Sequence, residues 1–159
     1  NLLDSHDVPR ALHTLLGNTS ALKLALLLLF LQPGAPCVYY GTEAGLAGGP
    51  SGKRATGPGP ACREAFPWDE PWTANLSPWI SELTNLRRGY AALRDGAKQW
   101  TAIGDDGLLG SFADLQVLIN RSVETSLPID QTKQVIWSST GDTDAKDLTP
   151  QAACLQRLG

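Results

Sequence analysis

The stretch ALKLALLLLFLQPGAPCVYYG, residues 21–41, decides how this chain folds. Residues 21–32 are apolar nearly all round, and a helix of that kind is buried on most sides. Asn18, Thr19 and Ser20 before it are all good N-cap types, and Pro33-Gly34 stops it. Cys37, Val38, Tyr39 and Tyr40 then make a short, β-favouring run that ends at Gly41. Upstream, residues 1–5 (NLLDS) read as another strand, and residues 10–16 as a short helix broken at Gly17. Strand, helix, strand is the pattern of a parallel α/β fold. Each strand ends on a polar tip, Ser5-His6-Asp7 in one case and Thr42-Glu43 in the other. Side chains held at such tips are placed to bind ligands or move protons.

The rest of the chain divides around residue 96. Residues 44–77 are rich in Gly and Pro (GLAGGPSGKRATGPGP) and then in aromatic and acidic groups (CREAFPWDEPW). A loop of that length is uncommon without a function. Ser77-Pro78 opens a helix, with Ser as cap and Pro at its first position. Ile80, Leu83, Leu86, Tyr90 and Leu93 supply its apolar face, and Gly96 closes it. From 97 onward the texture changes to short β-type runs: 100–103, 108–113, 115–120, 134–137 and 153–158. They predict a small antiparallel domain of sandwich type. The expected organisation is therefore an α/β part over 1–96 and an all-β domain over 97–159.

Composition narrows the function classes. The chain has 159 residues, 42% of them hydrophobic, which is a globular composition. A net charge of −3 argues against nucleic acid or an anionic membrane as the main partner. The Leu-rich run at 24–31 is too short to cross a bilayer. Three cysteines (Cys37, Cys62, Cys154) form no zinc pattern, and Cys37 and Cys154 sit in apolar runs expected to bury free thiols. Sequons at Asn18, Asn75 and Asn120 are no more than chance produces, and the compartment stays unread. Four of the five Trp residues (Trp68, Trp72, Trp79 and Trp100) lie between 68 and 100. Flat aromatic faces suit sugar rings, although most Trp side chains serve the core.

Four readings compete for Ser5-His6-Asp7. A Ser-His-Asp triad fails because sequence neighbours point in different directions. A His-Asp metal dyad needs further ligands, and the only other histidine is His13. A cap or turn is the purely structural reading. The last reading is a glycosidase carboxylate with a sugar-binding His: a carboxylate stabilises positive charge on an oxocarbenium-like sugar, and a neutral His donates to a hydroxyl.

At this point two ordered motifs carry a resemblance. NLLDSHDVPR (1–10) resembles the last of the four sequence regions of the α-amylase family, glycoside hydrolase family 13, at the end of the seventh barrel strand. LLLLFLQPGAPCVYYGTEAGLAGG (26–49) resembles that family's seventh helix, eighth strand and following loop. CREAFPWDEPW resembles a stretch of the neopullulanase, cyclomaltodextrinase and maltogenic amylase branch. ISELTNLRRGYAALRDG resembles the eighth helix, and the remainder the C-terminal β-domain. The resemblance thus implies the last two βα units of a (β/α)8 barrel followed by a small antiparallel β-sandwich.

Residue by residue, the resemblance implies that Asp7 stabilises the transition state and that His6 hydrogen-bonds the same sugar. Arg10 matches a position near the substrate, Tyr40, Gly41 and Glu43 shape the floor of the site, and Trp68 and Asp69 match a loop lining the cleft. The implied substrate is an α-glucan oligosaccharide with α-1,4 or α-1,6 bonds: a maltooligosaccharide, cyclodextrin or pullulan. The family mechanism is retaining, with a nucleophile and a general acid roughly 5 Å apart. Those two groups lie on the fourth and fifth barrel strands, and no G-x-R-x-D segment or matching Glu segment occurs here. The family's Ca²⁺ site has no counterpart in this segment either, so neither metal nor cofactor is expected in it, Ca²⁺ being a question for the complete enzyme. Two parallel strands cannot close a barrel, so the chain is expected to be part of a larger enzyme and inactive alone. Its apolar surfaces await the N-terminal barrel segment or another chain. A glucanotransferase on the same scaffold is the alternative among enzymes. A non-catalytic, amylase-like carbohydrate-binding or transporter-associated protein is the alternative from another class.

Overall fold

A computed structural model describes residues 1–48, 60–97 and 99–158. The Gly/Pro-rich residues 49–59 of the expected loop lie outside that set. The chain separates into two compact units, one of residues 1–30 and 34–89, the other of residues 31–33 and 90–159.

The first unit is built on helices α1 (Ala11–Thr14), α2 (Thr19–Phe30) and α3 (Ser77–Gly89). Asn18 caps α2, its Oδ1 accepting from the Ala21 amide at 2.9 Å. Leu22, Leu24, Leu26, Leu27, Leu29 and Phe30 are buried, as an all-round apolar helix requires. Helix α3 packs on α2, with Trp79, Leu83 and Leu86 buried. The Trp79 indole N–H donates to the Lys23 carbonyl at 3.0 Å. Arg87 donates to the Phe30 carbonyl and, at 2.5 Å, to the Gly34 carbonyl, so a side chain satisfies orphan acceptors at the end of α2.

Four expectations are corrected. The two strands reduce to a single parallel bridge, Leu2 with Cys37, because a strand exists only where it has hydrogen-bonding partners. Cys37, expected to be buried, is exposed. Helix α3 starts on an amide held by Asn75, whose Oδ1 accepts from Ser77 N at 3.2 Å, so Ser77 is not the cap. The helix also stops at Gly89: Tyr90 is extended (φ −123°, ψ 103°), and Leu93 lies on a separate turn, α4 (Ala91–Arg94). Glycine is a poor helix former, and the break falls where the two compact units divide.

The second unit is antiparallel. Strands β1 (Gln99–Ile103), β2 (Gly107–Phe112), β3 (Leu115–Asn120), β5 (Gln134–Ser138) and β7 (Ala152–Arg157) form one sheet in the order β1-β2-β3-β7-β5. Two-residue strands β4 (Leu127–Pro128) and β6 (Asp147–Leu148) form a separate ribbon. Leu118, Ile129, Leu148, Ala152 and Cys154 make the core between them. Asn120 is fully buried and spends its amide on the Thr125, Leu148 and Thr149 carbonyls, which locks the end of β3 to the ribbon and leaves that sequon inaccessible. Gly110 is required by close approach: a Cβ there would lie 2.6 Å from the Trp100 ring, which crosses it from the neighbouring strand. No helix among the described residues is long and apolar enough to cross a membrane.

Candidate active site

The first polar tip folds into a tight turn. The Ser5 hydroxyl accepts from the Asp7 amide at 3.1 Å, and Ser5 bridges back to Val8. Ser5 therefore shapes the turn, which is the structural reading, and leaves its two neighbours facing outward. His6 and Asp7 are exposed, with His6 Nε2 at 3.1 Å from Asp7 Oδ2. The other carboxylate oxygen, Oδ1, lies 3.7 Å from the Arg63 guanidinium. Asp7 thus carries one nitrogen group on each oxygen while most of its carboxylate remains open to solvent.

Buried ions on either side hold this turn. Asp4 is 2% exposed, accepts from the Ala11 amide at 3.0 Å and accepts the Thr42 hydroxyl at 3.0–3.1 Å. It anchors the first turn of α1 and ties the first strand tip to the second. Arg10 is fully buried. Its guanidinium lies 4.4 Å from the centre of the Tyr39 ring and 4.8 Å from that of Tyr40, and it donates to the Tyr40 carbonyl at 2.5 Å. Its Nε and Nη2 have no hydrogen-bond acceptor among the described residues, and the two aromatic faces serve that cation instead. Arg10, expected near the substrate, is covered by the two tyrosines and acts on them.

The tyrosines reach forward in turn. Tyr39 donates its hydroxyl to the Cys62 carbonyl at 3.2 Å, and Tyr40 donates to the Glu64 carbonyl at 2.7 Å. Desolvation, helped by the adjoining Tyr40 hydroxyl, pushes the Tyr39 phenol above its usual range. Their two rings meet edge to face at 4.6 Å. Gly41, next along, sits at φ +84°, and a Cβ there would fall 2.4 Å from Leu46, so the tip can turn only with glycine.

The other expected site residues separate into two places. Tyr40 and Glu43 line an open groove of about 490 Å³ together with Val38, Ser77, Ile80 and Ser81. Trp68 is 81% exposed and lies with its ring centre 4.4 Å from that of Phe66 at a tilt of 46°, and Phe66 meets Trp72 edge to face at 5.4 Å. Trp79, by contrast, is core. Among the described residues no three His, Cys, Asp or Glu side chains are grouped to hold a metal. Asp4 and Arg63 were not singled out from the sequence. The Arg63 pairing has no local signal, and Asp4 stands seven residues ahead of Ala11, too far for a helix-cap pattern to reveal it.

A family model, the alpha-amylase catalytic domain, matches residues 1–99. The chain belongs to the alpha-amylase family. A cyclomaltodextrinase of Geobacillus thermopakistaniensis (strain MAS1) is 36% identical over 170 aligned residues, which cover 100% of this chain and 28% of that enzyme. Maltogenic amylases and a neopullulanase are further relatives. Among solved structures, Ttha1563 of Thermus thermophilus matches with a TM-score of 0.77 at 29% identity, over 100% of this chain and 35% of that one. A cyclic α-maltosyl-(1→6)-maltose hydrolase of Arthrobacter globiformis matches with a TM-score of 0.71 at 32% identity, over 98% of this chain and 33% of that one. The chain thus spans roughly a third or less of the proteins it resembles. The first unit corresponds to the last two βα units of a (β/α)8 barrel, and the second is the small antiparallel domain expected after it.

Proposed function

We propose that this chain provides part of the active site of a retaining α-glucan hydrolase. The observation that carries the proposal is the exposed His6–Asp7 pair at the tip of a barrel strand, with Asp7 held at its backbone and open at its carboxylate. Relatives named for hydrolysis of cyclic maltosaccharides support the substrate class. In this reading Asp7 lies against the sugar at the cleaved bond and stabilises its developing positive charge, and His6 donates to a hydroxyl of the same sugar. The nucleophile and general acid come from the complete enzyme outside this segment. Leu2 and Val8 are 53% and 40% exposed, and Leu2–Cys37 is the single parallel bridge among the described residues. Further barrel strands are the natural cover for both.

The test is Asp7→Asn in the full-length protein, assayed on cyclodextrin and maltooligosaccharides. Asparagine keeps the volume and removes the charge, so kcat should fall by about 10²–10³-fold with an unchanged circular dichroism spectrum. Near-normal kcat would make Asp7 a turn residue and end the proposal.

A further inference from the structure

We propose that Arg63 is a positioning residue for Asp7, held in place by a tyrosine clamp that Arg10 stiffens from beneath. The inference rests on the catalytic reading of Asp7 given above. Four observations carry it, all within the first compact unit. Arg63 Nη2 lies 3.7 Å from Asp7 Oδ1, opposite the His6 contact on Oδ2. The backbone carbonyls immediately before and after Arg63 accept the Tyr39 and Tyr40 hydroxyls. Both tyrosine rings rest on the Arg10 guanidinium, which also donates to the Tyr40 carbonyl. Arg10 is fully buried, so the base of this stack cannot shift without unpacking.

The arrangement makes physical sense as orientation rather than as charge. A cation beside Asp7 weakens the field that the carboxylate exerts on a positively charged sugar, so attraction alone gives no reason to place one there. What Asp7 lacks is a partner that fixes its second oxygen: its side chain is 67% exposed, and His6 alone leaves it free to rotate. A guanidinium whose backbone is clamped supplies that partner as an ion pair at 3.7 Å, close enough to bias the carboxylate's orientation. A small misplacement of a reacting group is costly in rate, and the cost appears in turnover rather than in ground-state binding.

In the full-length protein, Arg63→Ala should lower kcat about tenfold while KM moves less than about threefold, and added guanidinium ion should restore part of the loss. Tyr40→Phe, which removes one hydroxyl of the clamp and keeps the ring, should lower kcat about threefold. Combined with Asp7→Asn, Arg63→Ala should add nothing, since its effect runs through the carboxylate. Arg63 is 60% exposed on its side chain, so an unchanged melting temperature is expected as well. If Asp7→Asn cripples the enzyme and Arg63→Ala leaves kcat intact, the positioning role is wrong and the catalytic reading of Asp7 survives. A loss confined to KM, or one that multiplies with Asp7→Asn, would make Arg63 a substrate contact and overturn the proposal. Normal kcat in Asp7→Asn would remove both readings together.

Discussion

Replacing Asp4 by alanine tests how the exposed turn is held. The Asp4 carboxylate takes two buried donors, the Ala11 amide and the Thr42 hydroxyl. A hydrogen bond to a charged group is worth about 1.5–3 kcal/mol, so two such bonds bound the gross loss near 3–6 kcal/mol. Part of that returns, because the wild-type carboxylate is itself desolvated and the Thr42 hydroxyl can turn toward another acceptor. The Ala11 amide cannot turn, and a lost helix-start acceptor alone costs about 0.5–2 kcal/mol. The net expectation is about 2–4 kcal/mol. Asp4→Asn keeps an acceptor for one donor and should cost about 1 kcal/mol. The readout is native-state hydrogen exchange across 11–16 in the full-length protein, where a loss of about 2–4 kcal/mol is a fall in protection of roughly 30-fold to 1,000-fold. Unchanged protection in Asp4→Ala would mean that α1 and the turn are held by packing and that the carboxylate is incidental.

Two further outcomes concern the β-domain. Burial pushes the Cys154 thiol up to about 11, so it should resist iodoacetamide at about pH 8 in the native protein and react fully in guanidinium, as read by mass mapping of its peptide. Since the unfolded thiol ionises nearer 9, stability should decline as pH rises between those values, and a Cys154→Ala variant should lose that slope in thermal melts. Asp130 is held well below its ordinary 3.8 by the hydrogen bond from Lys133 first and by Thr132 next. A depressed carboxylate stabilises the fold above its unfolded value and loses that contribution as pH falls through the folded one. Lys133→Ala should therefore unfold at higher pH in an acid titration followed by circular dichroism, and coincident curves would deny the linkage.

What the sequence conveyed depended on whether the determining contacts were local. Helix α2 was legible because its apolar residues and the Asn18 cap are contiguous, and β3 because LQVLIN is an unbroken apolar, β-favouring run after the Ala113-Asp114 turn. The ribbon strands Leu127–Pro128 and Asp147–Leu148 were illegible, since two residues carry no alternation and their pairing partner lies across a loop. The parallel strands failed for the same reason in reverse: their residues favour β structure, but only one bridge forms between them. His6 and Asp7 were found because a short motif contains both. Arg10 sits in that motif too, yet its guanidinium is covered by Tyr39 and Tyr40, some thirty residues along the chain.

The charges around the turn divide by burial in a way that follows from electrostatics. Asp4 and Arg10 are buried, where an ion is costly unless it is partnered, and they are turned onto backbone groups and tyrosine rings. His6, Asp7 and Arg63 are exposed, and exposed ions interact weakly with one another but remain free to be desolvated by an arriving sugar. Binding would remove the water that screens the three groups, and their interactions would strengthen at the moment the substrate is in place. Within one decapeptide, then, the buried Asp4 and Arg10 anchor the turn while His6 and Asp7 stay exposed. In the proposed reading Asp7 and not Asp4 is the carboxylate placed to act, because Asp7 is exposed and Asp4 is buried.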